Sequence, residues 1–97
     1  MWKIQKVTEE HAVILRISGR IGTDELLELR KLVSSEETAR EPVELDLGNV
    51  RLVNQQVVVY LAGHEAKGAR LRNCPAYIRE WIEREKSNPV GTQNGDM

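Results

Sequence analysis

Apolar and polar residues alternate with period two over the first segment of the chain, Trp2 to Val7, which indicates a β-strand. A nearly continuous apolar run follows at Ala12–Ile17, and such a run is typical of a strand that is covered on both faces. We expect this second strand to stop at Ser18 and Gly19. Together the two segments predict a hairpin.

The period then changes to that of a helix. In the stretch TDELLELRKLV, the residues Leu26, Leu29 and Val33 fall on one helical stripe, and Leu27 widens it. Thr23 is the predicted N-cap, because its hydroxyl can accept from a free backbone N–H of the first turn. A polar loop, SSEETAREP, is expected after this helix.

Two short strands and a helix are predicted in the second half of the chain. Val43–Leu47 alternates as a strand and is expected to end at Gly48 and Asn49, while Ala69–Asn73 is a second short strand. Pro75 then sets the first turn of a helix. Its apolar stripe consists of Ile78, Trp81 and Ile82.

The segment between these strands, RLVNQQVVVYL, is ambiguous, because runs of valine lose rotamer freedom in a helix and favour strands. A helix here would let the flanking strands lie parallel, since a parallel crossover requires a dozen or more residues. The predicted fold class is then α/β, a small mixed β-sheet with helices packed on it.

Composition limits the function. The chain has 97 residues, which predicts one domain over residues 1–86, followed by a polar tail, residues 87–97, that we expect to be disordered. The net charge of -1 argues against nucleic acid as a partner, and no apolar run is long enough to predict membrane insertion. A single cysteine, Cys74, and the absence of an apolar signal core predict a cytoplasmic protein.

No catalytic pattern is present in the sequence. It contains no glycine-rich phosphate loop, no serine elbow and no pairing of histidine with cysteine that predicts a nucleophile or a metal site. We therefore expect neither enzymatic activity nor a cofactor or metal. Cys74 is expected to be a small buried side chain, and His64 to be a solvated helix end.

The order and spacing of several segments resemble a STAS domain, the module shared by bacterial anti-sigma factor antagonists and the cytoplasmic tails of sulfate transporters. The similar segments are VILRISGRI, the strand VELDL with its turn, the approach KGARLR to the last strand, and the closing helix. The resemblance covers roughly residues 2–86. It implies that Gln55–Glu65 is a helix, in spite of its valines.

In antagonists of this family, an aspartate and a phosphorylatable serine begin that helix, and phosphorylation by a partner kinase controls binding to the anti-sigma factor. The aspartate position falls on Asn54, the serine position on Gln55, and the next two positions on Gln56 and Val57. None of the four matches the family pattern. Gln55 is thus a degenerate phosphorylation site, because an amide has no hydroxyl to modify. Gly22 also departs, since many members have an aspartate there.

The run NQQ has two readings that the sequence leaves open. Asn54 and the two glutamines cap and solvate the first turn of the helix, or they form the centre of a contact surface that cannot be switched off. For the second reading, the predicted partner-binding residues are Arg51, Asn54, Gln55, Gln56 and Val57. Regulation elsewhere would have to use other hydroxyls, such as those of Ser34 and Ser35.

The resemblance implies a protein-interaction module that binds a partner through the start of the Gln55 helix. One partner class is a serine kinase-like anti-sigma factor, as in the regulation of bacterial transcription. The alternative is the ATPase of a bacterial ABC lipid transporter, on which the domain would dock as a small subunit. A nucleotide-binding or small-anion-binding module, and a homodimer, are further alternatives.

Overall fold

The computed structural model describes residues 2–38 and 42–87. The structure contains four strands and three helices, in the order predicted for the case in which the ambiguous segment is a helix. They are β1 (Trp2–Glu9), β2 (Ala12–Ile21), α1 (Thr23–Thr38), β3 (Val43–Val53), α2 (Gln55–Ala66), β4 (Leu71–Arg72) and α3 (Ala76–Ser87). No helix in these two described ranges is long and apolar enough to cross a membrane.

The sheet is mixed and has the strand order β1-β2-β3-β4. Strand β1 pairs antiparallel with β2, which confirms the predicted hairpin, while β3 lies parallel to β2 and β4 parallel to β3. The two parallel pairs are connected through α1 and α2, because a chain must cross the length of the sheet between parallel strands.

Strand β3 does not end at Gly48 and Asn49 as predicted but continues to Val53. Between the pairs Arg16↔Asp46 and Arg20↔Leu52, β3 uses six residue steps where β2 uses four, so two additional residues are accommodated as bulges. Bulges allow a strand to contain turn-forming residues without losing its pairing. Strand β2 likewise runs beyond its predicted end to Ile21.

The core lies on one face of the sheet, where all three helices pack. Its fully buried members include Leu15, Ile17, Leu45 and Leu47 from the strands and Leu29, Val57, Leu61, Ile78 and Ile82 from the helices. On the opposite face, Ile14 is also buried. Arg72 bonds there to both Glu44 and Glu9, so charged side chains bridge over β2, where Ile14 lies.

An ion-pair cluster fastens α3 to α2. The Arg79 guanidinium donates to both carboxylate oxygens of Glu65 at 2.8 Å, and Lys86 Nζ donates to the same carboxylate at 2.6 Å. The hydrogen bonds from Arg79, and those from Lys86, lower the pKa of Glu65 to about 2 in spite of its partial burial. Glu65 is therefore ionised at neutral pH.

Two helix boundaries differ from their predictions. Leu26 N–H donates to the Gly22 carbonyl at 2.9 Å, so Gly22 stands at the cap position of α1 and Thr23 is its first helical residue. The Glu25 carboxylate accepts from Gly22 N–H at 2.8 Å, so the third helical residue bonds back to the cap residue, as in one half of a capping box. Helix α1 also extends through Ser34 and Ser35, where a loop was predicted.

The predicted bounds of the last strand and of the tail also differ from the structure. Strand β4 is limited to Leu71–Arg72, because Asn73 has a left-handed φ of 54° and Ala69 N–H bonds back to the His64 carbonyl. Ser87 belongs to α3 and not to the tail, and its hydroxyl donates to the Glu83 carbonyl. The predicted disorder of residues 88–97 lies outside the described residues.

Candidate interaction surface

The start of α2 is fixed by Asn54, which links β3 directly to the helix. Asn54 has extended backbone angles, and its Oδ1 accepts from Val57 N–H at 3.0 Å, as an N-cap side chain does. Its Nδ2 donates to Thr23 Oγ1 at 3.3 Å. One asparagine therefore caps α2 and contacts the beginning of α1.

A second hydrogen bond ties the two helix starts together, since Thr23 Oγ1 donates to Gln56 Oε1 at 2.9 Å. Gln55 lies beside this bridge, and its side chain is exposed. We call Thr23, Asn54, Gln55 and Gln56 the helix-start surface. Within it, three uncharged amides and one hydroxyl offer both donors and acceptors.

Exposed apolar side chains flank the helix-start surface on two sides. On one side, a groove of about 550 Å³ between α1 and α2 includes Leu27 and Val59, which are 54% and 51% exposed. On the other side, Leu52 near the end of β3 is 53% exposed and lies in a depression that reaches Asn54. Exposed apolar side chains bordered by uncharged polar groups are a feature of surfaces that bind other proteins, because interface centres are apolar and their rims are polar.

No acidic residue lies in the first turn of α2. The positive end of the helix dipole is therefore met by the uncharged Asn54 cap and not by a carboxylate of that turn. The acidic residues Asp24 and Glu25 belong to the first turn of α1 instead.

The predicted contact residues are not all brought together. Asn54, Gln55 and Gln56 share the helix-start surface, but Val57 is fully buried in the core and is excluded as a contact residue. The reason is the helical period, which turns the third residue of α2 toward the sheet. Arg51 lies apart, in a separate depression of about 570 Å³ with Trp2 and Lys3.

Comparison with solved structures identifies the architecture. The chain is similar to the crystal structure of an uncharacterized protein of the DUF3478 family, with a SpoIIAA-like fold, from Shewanella loihica PV-4. The TM-score is 0.54 at 10% sequence identity, and the match covers 97% of this chain and 83% of that one. This chain has a SpoIIAA-like fold. No family model matches the chain, and no curated protein matches it.

The SpoIIAA-like fold confirms the mixed α/β architecture that the STAS resemblance implied. The structure of this chain confirms that the segment beginning at Gln55 is a helix. At 10% identity the likeness concerns the fold alone.

Sequence reasoning missed the residues that complete the surface. The Thr23 hydroxyl lies 33 residues from Gln56 in the chain, and nothing in either local pattern signals their contact. Leu27 was predicted to widen the apolar stripe of α1, but it is 54% exposed in the structure, and Val59 of α2 is 51% exposed.

Cys74 and His64, the other two candidate residues, are both at least partly buried. Cys74 is half-buried, and burial raises the pKa of its thiol, so the thiolate that a nucleophile requires is disfavoured. His64 is buried, not solvated as predicted. Among the described residues, no group of three or more potential ligands is placed to hold a metal ion.

Proposed function

We propose that this chain is a protein-interaction module that binds its partner through the helix-start surface without a serine switch. The observation that carries the proposal is the placement of exposed Leu27, Leu52 and Val59 around exposed amides at the beginning of a helix. Burying such side chains against a partner is favourable by about 25 cal/mol per Å² of apolar surface.

The polar centre supports specificity in this proposal. Asn54 and Thr23 are already engaged in the cap and the bridge, whereas Gln55 is exposed and has no hydrogen-bond partner among the described residues. An amide at this position can donate to or accept from a partner without the cost of desolvating a charge. Because Gln55 has no hydroxyl, phosphorylation at this position cannot turn the contact off.

Two exposed leucines of α1 provide a matched pair of variants for testing the surface. Leu27 lines the groove, whereas Leu32, which is 38% exposed, does not. We expect Leu27→Asp to lose the partner in affinity capture from native lysate, and Leu32→Asp to retain it. Equal capture by both variants would contradict the proposed surface.

Gln55→Glu tests the absence of the charge switch. The substitution adds a negative charge at the start of α2, where the dipole stabilises it by roughly 0.3–1 kcal/mol. We expect weaker partner binding together with an unchanged or slightly higher melting temperature, so unfolding cannot explain the loss. The captured protein, identified by mass spectrometry, distinguishes an anti-sigma factor from the ATPase of an ABC transporter.

A further inference from the structure

The depression of about 570 Å³ that contains Arg51 crosses three strands of the sheet. Its lining includes Lys3 of β1, Ser18 and Gly19 of β2, and Gly48, Asn49 and Arg51 of β3. Because Ile17 is fully buried in the core beneath the helices, the alternation of β2 turns Ser18 to the opposite face of the sheet. We call this depression the Ser18 trough.

The trough exists because the central strand carries small residues between longer ones. Lys3 pairs with Ser18 in the register of β1 and β2, and Ser18 pairs with Asn49 in the register of β2 and β3. Lys3 and Asn49 therefore stand about 10 Å apart, two strand spacings, with the short Ser18 side chain between them. The next residue, Gly19, has a left-handed φ of 95°, which favours glycine, so the floor carries no side chain there.

Arg51 belongs to the second bulge of β3. Val50 and Leu52 pair with consecutive residues of β2, and Arg51 is the additional residue between them. The Arg51 carbonyl accepts from the Tyr77 hydroxyl at 2.8 Å, which ties the bulge to the first turn of α3. The backbone that carries the exposed Arg51 side chain is thus held by a second element.

The trough is positively charged. Among the described residues, neither Lys3 nor Arg51 forms a salt bridge, and the described lining includes no carboxylate. Asp46 lies on the same face of the sheet, but its carboxylate is already engaged. It accepts from Gly48 N–H at 3.0 Å and lies 3.6 Å from the Arg16 guanidinium. An anion in the trough would therefore meet two cations that no carboxylate neutralises.

We propose that the Ser18 trough binds a phosphate monoester group. Lys3 and Arg51 pair with its anionic oxygens, and the Ser18 hydroxyl and the Asn49 amide donate to it. Such a group has three strong acceptor oxygens, enough for donors that approach from three strands. The trough exceeds the size of one phosphate group, so the organic part of the ester has room beside it.

Inorganic phosphate is the probe, because it presents the phosphate oxygens without an organic part. It is titrated into isotope-labelled protein at neutral pH and at an ionic strength held constant with chloride, while the backbone amide resonances are recorded. We expect saturable shifts at Ser18, Gly19, Asn49 and Arg51, and none at Gln55. Uniform shifts over the whole surface, or no saturable shift at the trough, would overturn the proposal without affecting the proposed function.

Matched charge variants separate the trough from general attraction to a cation. Arg51→Gln and Lys3→Gln should each weaken phosphate binding by roughly tenfold or more, the effect of losing one charge-assisted hydrogen bond. Arg84→Gln and Lys31→Gln remove the same charges from exposed helix positions and should leave binding unchanged. Equal weakening in both members of each pair would contradict a site in the trough.

Ser18→Ile tests the shape of the trough while keeping every charge. A β-branched side chain suits a strand and fills the floor between Lys3 and Asn49, so we expect phosphate binding to be lost and the melting temperature to be retained. Retained binding in this variant would place the anion elsewhere.

Vesicles identify the source of the phosphate group in a protein that binds inorganic phosphate. Cosedimentation with phosphatidic acid vesicles but not with phosphatidylcholine vesicles, lost in Arg51→Gln, would assign the group to a lipid. Cosedimentation with neither would assign it to a soluble ester, and equal cosedimentation of wild type and Arg51→Gln would contradict a lipid bound in the trough.

Discussion

Asn54 forms two side-chain hydrogen bonds at the helix-start surface, one to Val57 N–H and one to the Thr23 hydroxyl. Its carbonyl oxygen caps α2 and its amide nitrogen reaches the Thr23 hydroxyl, so one side chain sets both the beginning of the helix and its distance from α1. An uncharged amide at this position is therefore sufficient for both contacts.

Removing this cap should have a measurable cost. We expect Asn54→Ala to lower the free energy of unfolding by about 1 kcal/mol, because Val57 N–H loses its acceptor. Asn54→Asp keeps the acceptor for Val57 and adds a charge that the dipole favours, but it loses the Nδ2 donor to Thr23, so it should lose less stability than Asn54→Ala. Urea denaturation of the three proteins makes the comparison, and equal losses in both variants would rule out a capping role.

His64 predicts a pH dependence of stability. The pKa of His64 in the folded protein lies below its ordinary value of 6.5, so the unfolded chain binds the proton more readily. Stability is therefore full above pH 6.5 and falls as the pH decreases through 6.5 toward the folded pKa. Denaturation at a series of pH values should show this slope in the wild type and a smaller one in His64→Leu. Identical slopes would mean that the ring titrates equally in both states.

Among the elements, α2 departs furthest from its local propensity. Its valines favour a strand, yet Val57 and Val58 are fully buried in the core as part of a helix. Burial against the sheet overrides the propensity, and the segment's own residues could not predict that outcome. The resemblance to a known family supplied it, because the order of all the elements limits what one of them can be.

In β3, local sequence signals predicted an end to the strand that the structure does not have. Gly48 and Asn49 are ordinary strand breakers, and the alternation of VELDL stops before them. The strand continues because its two bulges match the register of β2, which is a property of the pair and not of either segment. The fold class could thus be predicted from the sequence, whereas the strand ends that frame the helix-start surface could not.

The ion-pair cluster of Glu65, Arg79 and Lys86, which joins α2 to α3, predicts a second pH dependence of stability. Glu65 has its pKa lowered from 4.5 to about 2, so the stability that it contributes is present above pH 4.5 and is lost as the pH falls toward 2. Glu65→Gln should reduce the loss of stability over this range. Glu83→Gln is the control, since Glu83 bonds the same arginine from a more exposed position. If both variants lose as much stability as the wild type over this pH range, the ion-pair cluster does not stabilise the folded state.

For the whole molecule, stability depends on one aliphatic core between the sheet and the three helices. Leu45 is fully buried in β3 and belongs to the core cluster that includes buried residues of all three helices. We expect Leu45→Ala to lower the free energy of unfolding by about 2–5 kcal/mol, because it leaves a cavity in a close-packed interior. A loss below about 1 kcal/mol would show that the core relaxes around the substitution.

The architecture also separates two sides of the molecule. The helix side presents the helix-start surface with Leu27 and Val59. The opposite side of the sheet carries Leu52 at the end of β3, together with paired charges such as Arg16 with Asp46. Paired, solvated charges are poor candidates for the centre of a contact, since charged residues are depleted at the cores of protein interfaces. A partner is accordingly expected on one side only.

Site-specific photocrosslinking in the native cell tests this expectation most directly. A photoreactive phenylalanine derivative is placed at Gln55, and in a second protein at Gln5, which is exposed on the opposite side of the sheet. The proposed function predicts one abundant protein crosslinked from position 55 and none from position 5. Crosslinking from position 5 alone, or of the same protein from both positions, would contradict a partner that binds at the start of α2.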